Sequence, residues 1–399
     1  MKRLLMLGGA MQQIPIIKKA KEMGHYVITC DYLPDNPGHK IADEYYNVST
    51  VDKEKVLELA NKLKIDGVVA YASDPAAPTA AYVAGKMCLP GNPYDSVLIC
   101  TQKDLFRNFL KDHGFNTPRA RGFDTYEDAL ADIDNFKLPI MVKPVDSSGS
   151  KGVVKVNDRN ELYSAVEEAL SYSRKKRFII EEFIVKKGYQ ISGDGFSYNG
   201  QLVFTSYGNE LYSNKGIREY VALGEFWPSL LTPELKNKVD NELQRLIYAL
   251  GMKTSAYNIE VILDQDDNVY ILELAPRNGG SYIPQLIQLA TGVDLVEYTI
   301  RGTLGEDCSD LHMVEAQGFY SNYMILSNRS GKFKGLWFDE KFKDNNLLNV
   351  YCTANRGQQV MAYRNTNDSL GTILFQAKSL AEIMQITGNM EEFYRVMVE

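Results

Sequence analysis

The chain has 399 residues, of which 45% are hydrophobic and 24% charged, and its formal net charge is -7. That length suits two or three globular domains, and the negative charge argues against nucleic acid as a partner. No apolar run approaches the roughly 18 residues that cross a bilayer, so we expect no membrane partner and a cytoplasmic protein. Five scattered cysteines and four histidines predict neither disulfides nor zinc, so any metal is expected to be magnesium held by oxygen ligands.

The first 100 residues alternate apolar strands with short helices. "RLLMLGGA" predicts a strand that ends in two glycines, "IPIIKKAKEMG" a helix and "YVITCDY" the next strand. The alternation continues through "KVLELANKLKI", "DGVVAYASD" and "TAAYVAGKMCLPG", which predicts a doubly wound parallel sheet. Small ligands bind at the strand ends of such sheets. The residues predicted there are Gly8, Gly9, Asp31, Ser73 and Asp74.

A dinucleotide site at these strand ends is disfavoured. The phosphate-binding pattern GxGxxG needs another glycine after Gly9, and Gln12 and Gln13 stand there instead. Turn glycines and a capping aspartate remain the alternative interpretation of this edge.

The segment "TQKDLFRNFLKDHGFNTP" predicts a helix that follows the first domain. Thr101 is the expected N-cap, Gly114 the expected stop, and Leu105, Phe109 and Leu110 the expected buried face. A lysine, residue 103, falls in the first turn, where its charge opposes the helix dipole.

The segment "LPIMVKPVDSSGSKGVVKV" predicts two strands joined by a loop of hydroxyls and glycines. Lys143 lies inside the first strand, where burial of its charge would require an anion. Backbone N–H groups of such a loop can wrap around phosphate oxygens. A flexible turn and a solvent-facing lysine are the ordinary alternatives, but the combination favours phosphate.

The strand "FIIEEFI" reaches Glu182 and is followed by a break in the pattern. The chain leaves through Val185 to Gly188 and re-enters a strand at Tyr189, which exposes a backbone C=O and N–H side by side. That pairing matches the edge of an adenine ring. The alternative is an ordinary connection, with Glu181 and Glu182 facing solvent.

Two acidic residues stand in the consecutive strands "YNIEVIL" and "VYILELA". If residues 265–268 form a four-residue loop, Asp264 pairs with Val269 and Glu260 lies directly opposite Glu273. Two carboxylates about 5 Å apart repel each other by about 3 kcal/mol at an effective dielectric constant of about 20. A divalent cation between the two carboxylates would replace this repulsion by attraction, so the pair predicts a metal site.

Neighbouring residues support this metal site. Ile262 and Ile271 are expected on the same face as the two acids. Water would therefore have little access to this face and would not screen the repulsion between the carboxylates. Arg277 would face the phosphate that the metal brings, and Gly279 and Gly280 would let backbone amides approach it. A register shifted by one residue is the alternative, since it would send the acids to opposite faces.

Two later segments are less specific. "NELYSNKGIREYVALGEFWPS" offers Lys215, Arg218 and Glu219 beside aromatic side chains, either as a place for a small carboxylate and its partner or as a charged surface loop. "GFYSNYMIL" and "QQVMAYRN" predict strands, and the segment after Ser379 predicts a closing helix. Together they suit a small α/β cap.

The order of these parts resembles the ATP-grasp enzymes, especially purine-biosynthetic carboxylases and synthetases and biotin carboxylase. The motifs that carry the resemblance are "VDSSGSKG", "IIEEFI", "NIEVIL" and "ILELAPRNGG", with Lys103 and Lys143 before them. It implies an α/β chain in which a doubly wound parallel-sheet domain, the pre-ATP-grasp domain, precedes a two-lobed ATP-grasp α+β fold. The implied divisions are 1–100, a small lobe with lid and hinge at 101–190, a large lobe with the metal site at 191–310, and a C-terminal α/β cap of that lobe at 311–399.

The resemblance also implies a role for each motif residue. The implied ATP-binding residues are Lys103, Lys143, Ser147, Ser148, Gly149, Lys151, Gly152, Glu182, Phe183, Ile184 and Gln190. The implied ligands of Mg2+ or Mn2+ are Glu260 and Glu273, and the implied catalytic residues are Arg277 and Asn278. Two positions depart from the family pattern: Gln190 replaces a ribose-binding glutamate, and Ala275 stands where several members have a metal-binding asparagine.

The implied reaction activates a carboxylate as an acyl phosphate, which an amine attacks with release of ADP and phosphate. The expected partners are therefore a small carboxylate and a small amine, and a homodimer is compatible with the sequence although no residue predicts it. The candidate substrate residues are Gly8, Gly9, Ser73, Asp74, Lys215, Arg218, Gly279 and Gly280. A purine-pathway ribotide enzyme, a carboxylase and a non-catalytic ATP-binding regulator are the alternatives.

Overall fold

The first domain is a parallel α/β unit in the computed structural model, which describes residues 1–213 and 220–399. Its elements are β1 (Arg3–Leu7), α1 (Ile14–Glu22), β2 (Tyr26–Cys30), β3 (Glu44–Tyr46), α2 (Lys53–Leu63), β4 (Gly67–Val69), α3 (Ala77–Lys86) and α4 (Tyr94–Cys100). The strands are all parallel and lie in the order β3-β2-β1-β4. Alternate residues of β1 enter separate cores, Leu5 in one and Leu4 in the other. The predicted doubly wound sheet is confirmed.

The small lobe is an antiparallel sheet in the order β5-β8-β6-β7, flanked by helices. Its elements are α5 (Lys103–Asp112), β5 (Ala120–Phe123), α6 (Tyr126–Asp132), β6 (Ile140–Pro144), β7 (Val154–Val156), α7 (Leu162–Tyr172) and β8 (Phe178–Glu182). The loop between β6 and β7, residues 145–153, is therefore a connection between paired strands, as the sequence predicts.

The large lobe is built on an eight-stranded sheet. Its elements are β9 (Ile191–Tyr198), β10 (Gln201–Tyr212), β11 (Ala222–Trp227), α8 (Pro233–Ala249), β12 (Ser255–Leu263), β13 (Val269–Ala275), α9 (Ile283–Thr291), α10 (Leu295–Thr303), β14 (Phe319–Met324), β15 (Gly331–Phe338), α11 (Glu340–Asn345), β16 (Leu347–Cys352), β17 (Gln359–Val360), β18 (Gly371–Ala377), α12 (Leu380–Gly388), α13 (Met390–Phe393) and β19 (Tyr394–Val398). The strand order is β13-β12-β9-β10-β11-β14-β18-β16, and β17-β15-β19 form a separate sheet. The C-terminal segment thus adds three strands to the sheet that carries the predicted acids.

Helix α5 begins one residue later than predicted and buries another face. Its N-cap is Gln102, because the Thr101 hydroxyl donates to the Val97 carbonyl at 2.9 Å and so belongs to the end of α4. Leu105 is 38% exposed, so its predicted burial is wrong. The buried face includes the charged side chain of Arg107, which the spacing of apolar residues does not reveal.

The C-terminal strands also differ in part from the prediction. "GFYSNYMIL" contains β14, and α12 begins after its N-cap Ser379, both as predicted. In "QQVMAYRN" only Gln359–Val360 form a strand, so most of that predicted strand is wrong. Across the two described ranges, no helix combines the length and apolarity needed to cross a membrane.

Candidate functional site

The two predicted metal ligands face each other at one edge of the large sheet. Glu260 pairs with Glu273, as predicted, although Leu263 rather than Asp264 pairs with Val269. A β-bulge that leaves one residue of β13, at position 272, without a partner makes up this difference. The predicted pairing of the acids is thus confirmed, but the predicted loop is one residue too short.

The bulge changes which side chains surround the acids. Ile271 opposes Val261 in the core and not Ile262, so the predicted shared face of the two isoleucines is wrong. The carbonyl of Leu272, at the bulge, accepts a hydrogen bond from Arg107 Nη1 at 3.0 Å. A buried guanidinium from α5 therefore holds the irregular residue in place.

Glu260 lies among other carboxylates. Burial and the charges of Glu210 and Glu273 raise the pKa of Glu260 well above its usual range. Burial and the charge of Glu225 raise the pKa of Glu210 to about 8. Gln190 Nε2 donates to Glu210 Oε2 at 2.6 Å and to Glu260 Oε2 at 3.1 Å. This group of closely spaced carboxyls fits a divalent cation with oxygen ligands, which would lower those pKa values and favour the charged forms.

Few further side chains are placed to complete a metal shell. In residues 1–213 and 220–399, no group of three or more His, Cys, Asp or Glu side chains is arranged to hold a metal ion. Asn278, a predicted catalytic residue, is fully buried, and its Oδ1 accepts from the Thr299 hydroxyl at 2.9 Å. Glu260 and Glu273 therefore stay the two predicted ligands, and the role of Asn278 stays a prediction.

Arg277 connects this site to the first domain. Its guanidinium forms a two-point ion pair with Asp74, with Nε 2.7 Å from Oδ1 and Nη2 2.8 Å from Oδ2. Nη2 also lies 3.6 Å from Glu273 Oε1, and the Arg277 side chain is only 7% exposed. Burial acts against ionisation of Asp74, but Arg277, with the hydroxyl of Ser148, lowers the pKa of Asp74. Two residues predicted independently thus form one ion pair, with the arginine buried and the aspartate half-buried, beside the predicted metal ligands.

The turn after Arg277 is held in an unusual conformation. The N–H of Gly279 donates to both carboxylate oxygens of Asp194, at 3.0 and 2.9 Å. Burial raises the pKa of Asp194 to about 7. Ser281 and Tyr282 follow with φ of 50° and 63°, in the left-handed region that non-glycine residues rarely adopt. Such strain is characteristic of binding and catalytic turns.

The turn also contacts the first domain, close in sequence to the two glycines predicted at its strand end. A Cβ at Gly280 would lie 2.9 Å from Gln12 Oε1, and one at Gly9 would lie 2.2 Å from the His39 ring. Gly8 adopts a φ of +120°. Asp74 and Gly280, two of the eight predicted substrate residues, thus lie where the first domain contacts this turn. The binding role of all eight stays a prediction.

The predicted phosphate lid, residues 147–152, contacts three other parts of the chain. Lys103 Nζ donates to the Ser147 carbonyl at 2.7 Å, and the Ser147 hydroxyl donates to the Lys151 carbonyl at 3.0 Å. From the C-terminal cap, the Thr366 hydroxyl donates to the Gly149 carbonyl at 2.5 Å. A left-handed glycine, Gly152, closes the loop against Pro144 and α7, with a φ of +67°. The loop thus lies next to Lys103, as a phosphate lid requires.

Lys143 contacts a buried acid that the sequence did not single out. Its Nζ lies 2.6 Å from Glu181 Oε2, and Arg107 Nε lies 3.0 Å from Glu181 Oε1. Glu181 is 2% exposed, which excludes the alternative of a solvent-facing residue. Burial acts against its ionisation, but the charges of Arg107 and Lys143 outweigh burial and lower the pKa of Glu181 to about 2.

We expect Glu181→Gln to lower the free energy of unfolding by about 3–5 kcal/mol at neutral pH, because it leaves buried Arg107 without its charge partner. The folded-state pKa lies below the ordinary value of 4.5, so this stabilisation is present above pH 4.5 and is lost as the pH falls towards 2. Urea unfolding of both proteins across this range measures it. Glu167→Gln, on the exposed face of α7, is the control, and equal stabilities at pH 7 would contradict the assignment.

The predicted adenine hinge is anchored at its first residues. The Glu182 carboxylate accepts from the Lys137 N–H at 2.9 Å, and the Phe183 N–H donates to the Pro139 carbonyl at 3.1 Å. This leaves the backbone from Ile184 onward as the part that can face a base. The departure from the family pattern at residue 190 places an amide against Glu210 and Glu260, and its contact with ribose stays a prediction.

Several polar residues of the site were missed by the sequence reasoning, and Lys215 and Arg218 lie outside the described residues. The missed residues are Arg107, Glu181, Asp194, Glu210 and Glu225. A usable signal was present for some of them. Asp194 lies between two glycines, 193 and 195, and Glu225 follows Gly224 in the apolar strand "ALGEFW". An acid beside a glycine in such a strand indicates close backbone packing around a buried charge.

Comparison with known proteins agrees with this geometry. Residues 136–285 match the family model described as "ATP-grasp domain". A carbamoyl phosphate synthase large chain from Clostridium botulinum is 23% identical over 299 residues, which are 74% of this chain and 27% of that protein. The chain spans about half or less of the length of the curated relatives it matches, 47% of the length of one and 27% of the length of another.

Solved structures share the fold over the whole chain. An L-amino acid ligase from Bacillus licheniformis has a TM-score of 0.84 and 24% identity, with 100% of this chain and 99% of that chain covered. A phosphoribosylglycinamide synthetase from Anaerococcus prevotii has a TM-score of 0.77 and 22% identity, with both chains covered in full. The family match thus identifies an ATP-grasp domain at residues 136–285, and these structures show that their fold extends over the whole of this chain.

Proposed function

We propose that this protein is an ATP-dependent ligase that activates a carboxylate as an acyl phosphate and joins it to an amine. The observation that carries the proposal is the buried Arg277 fork beside the opposed Glu260 and Glu273, next to Lys103 and the lid. The ATP-grasp domain and the fold shared with an L-amino acid ligase support it. We further propose that its substrates are small molecules and that it acts in the cytoplasm, and a homodimer stays a prediction.

The first step brings two anions together. A carboxylate oxygen bonds to the γ-phosphorus of ATP while the bond from that phosphorus to the β,γ-bridging oxygen breaks, and ADP leaves with the electron pair. Lys103 bonds a neutral carbonyl in this structure, so its charge is available to phosphate oxygens. A magnesium ion held by Glu260 and Glu273 would supply further charge stabilisation.

The second step needs a neutral amine and a dry site. The amine attacks the acyl carbon, the carbon–oxygen bond to phosphate breaks, and the amine gives up a proton to the departing phosphate. Arg277 is oriented by Asp74 and can stabilise the oxyanion that forms and the departing phosphate. The lid, which is hydrogen-bonded to Thr366, would exclude water that would otherwise hydrolyse the acyl phosphate.

We expect Lys143→Ala to weaken ATP binding by about 1.5–3 kcal/mol, which is a loss of roughly 10- to 150-fold. The reason is the loss of a charged contact to phosphate from a lysine whose side chain is 15% exposed. Equilibrium titration with ATP measures it, and Lys137→Ala, an exposed lysine of the same lobe, is the control. Unchanged ATP affinity would limit Lys143 to its structural pair with Glu181.

The proposal is tested by phosphate release from ATP and magnesium across amino acids, small carboxylates, bicarbonate and ribotide amines. Turnover with one carboxylate and one amine, above a Glu273→Gln blank, would establish the ligase and identify both substrates. Stimulation by bicarbonate alone would favour a carboxylase, and turnover only with a ribotide a purine-pathway enzyme. ATP binding without phosphate release under any combination would favour a regulator and contradict the proposal.

A further inference from the structure

A cavity of about 320 Å3 extends from the predicted phosphate site towards the outer surface. Its lining includes Lys103, Ser148 and Glu273, which belong to the predicted phosphate and metal sites, and also Lys53, Arg174 and Lys175. Lys53 comes from the first domain and the last two from the connection between α7 and β8, so the cavity lies where two domains meet. Its volume is at the lower end of the range of small-molecule sites, from roughly 300 Å3 upward.

The lysines of this cavity are bonded to neutral oxygens. Lys53 Nζ donates to the Tyr94 hydroxyl at 3.3 Å and lies 5.1 Å from the centre of that ring. Lys175 Nζ donates to the Gln102 side-chain carbonyl at 2.5 Å. A neutral acceptor satisfies one N–H of an ammonium group but leaves its charge uncompensated.

The acids that line the cavity are already paired. Asp146 accepts from the Ser173 hydroxyl at 2.8 Å and from the Lys175 N–H at 3.1 Å, and its Oδ2 lies 3.8 Å from Arg174 Nε. Asp74 is held by Arg277, and Glu273 Oε1 lies 3.6 Å from Nη2 of the same arginine. The part of the cavity around Lys53 and Lys175 therefore keeps a positive charge.

Much of the remaining wall is apolar. Pro75, Pro78, Leu98 and Phe106 line it. An apolar wall with basic groups at a distance from the transfer point suits a molecule that has a short hydrocarbon body and a charged end.

We propose that this cavity binds the substrate of the ligase through an anionic group, a carboxylate or a phosphate, that is remote from its reacting group. Lys53 and Lys175 contact that anion, the apolar wall contacts the body, and the reacting end lies at Lys103 and Glu273. This inference rests on the proposed function for the identity of the ligand as a substrate. The anion site itself can be tested without turnover.

The test is calorimetric titration of the whole protein with succinate and, separately, with inorganic phosphate, in saturating MgADP to occupy the nucleotide site. We expect one of the two probes to bind, which distinguishes a carboxylate from a phosphate site. Lys53→Met should weaken that binding by at least about tenfold, while Lys55→Met, two residues along α2 and paired with Asp52, should not change it. The neutral diamide succinamide should not bind.

A kinetic arm links the site to turnover. For substrates that differ only in the remote group, such as glutamate and glutamine or a ribotide and its dephosphorylated form, Lys53→Met should raise KM for the charged member alone. The kcat and the KM for ATP should stay unchanged. Failure of both probes to bind the wild type, or equal binding to Lys53→Met, would overturn the anion site even if ligation is found. Binding without turnover would instead contradict the ligase and leave the anion site standing.

Discussion

Glu273→Gln is expected to lower magnesium-dependent ATP turnover by at least about a hundredfold. The substitution keeps the volume of the side chain but removes one of the two charges that face the predicted cation. It also removes a like charge that acts on Glu260, whose pKa is raised by burial and by neighbouring carboxylates. The metal-free protein should therefore be at least as stable as the wild type. Phosphate release and thermal unfolding in chelator, measured on the same preparation, check both parts.

Glu234→Gln is the matched control, because Glu234 is an exposed acid at the start of α8 in the same lobe. It should leave turnover and unfolding unchanged. A Glu273→Gln protein that retains full magnesium-dependent turnover would show that Glu273 does not bind the catalytic cation. A protein that fails to fold would instead show that the acid has a structural role that its pairing with Glu260 does not explain.

Arg277→Lys is expected to lower kcat by about a hundredfold while changing the affinity for ATP little. An ammonium group keeps the charge but cannot make the two-point contact with Asp74 and approach Glu273 at the same time. The loss should appear in the chemical steps, since the nucleotide contacts of the lysines and the lid are untouched. Steady-state kinetics with the identified substrates and equilibrium ATP titration separate the two effects.

Arg301→Lys provides the control for this substitution. Arg301 also forms a two-point pair, with Asp310 at 2.7 and 3.1 Å, but on the surface of the large lobe. Its replacement should cost little stability and no activity. Equal kcat values for Arg277→Lys and the wild type would remove Arg277 from the chemistry and leave it as a link between domains.

The sequence predicted the fold well where short patterns decide the structure. The βαβ alternation and the paired strands that carry Glu260 and Glu273 depend on apolar spacing and turn residues, which a single sequence shows. The predicted pairing of the acids was right even though the loop was one residue longer, because the bulge at Leu272 restored the register. A bulge depends on tertiary contacts, here the Arg107 hydrogen bond, and has no local signature.

The parts of the site that were missed depend on contacts between distant segments. Arg107 and Glu181 interrupt faces that would otherwise be apolar, so pattern reasoning places them at the surface or ignores them. Asp74 and Arg277 were each identified from their positions after strands, but nothing local indicates that they meet. Burial of a charge is explained by its partner, and the partner is known only once the chain is folded.

The ion pair between Asp74 and Arg277 constrains how this chain can change during evolution. If the first domain were exchanged for one from another protein, a buried guanidinium would face a surface without its acid. The two halves must therefore be inherited as a matched set, and a change at either position is tolerated only with a compensating change at the other. Covariation between two positions 203 residues apart is the trace that such a history would leave among related sequences.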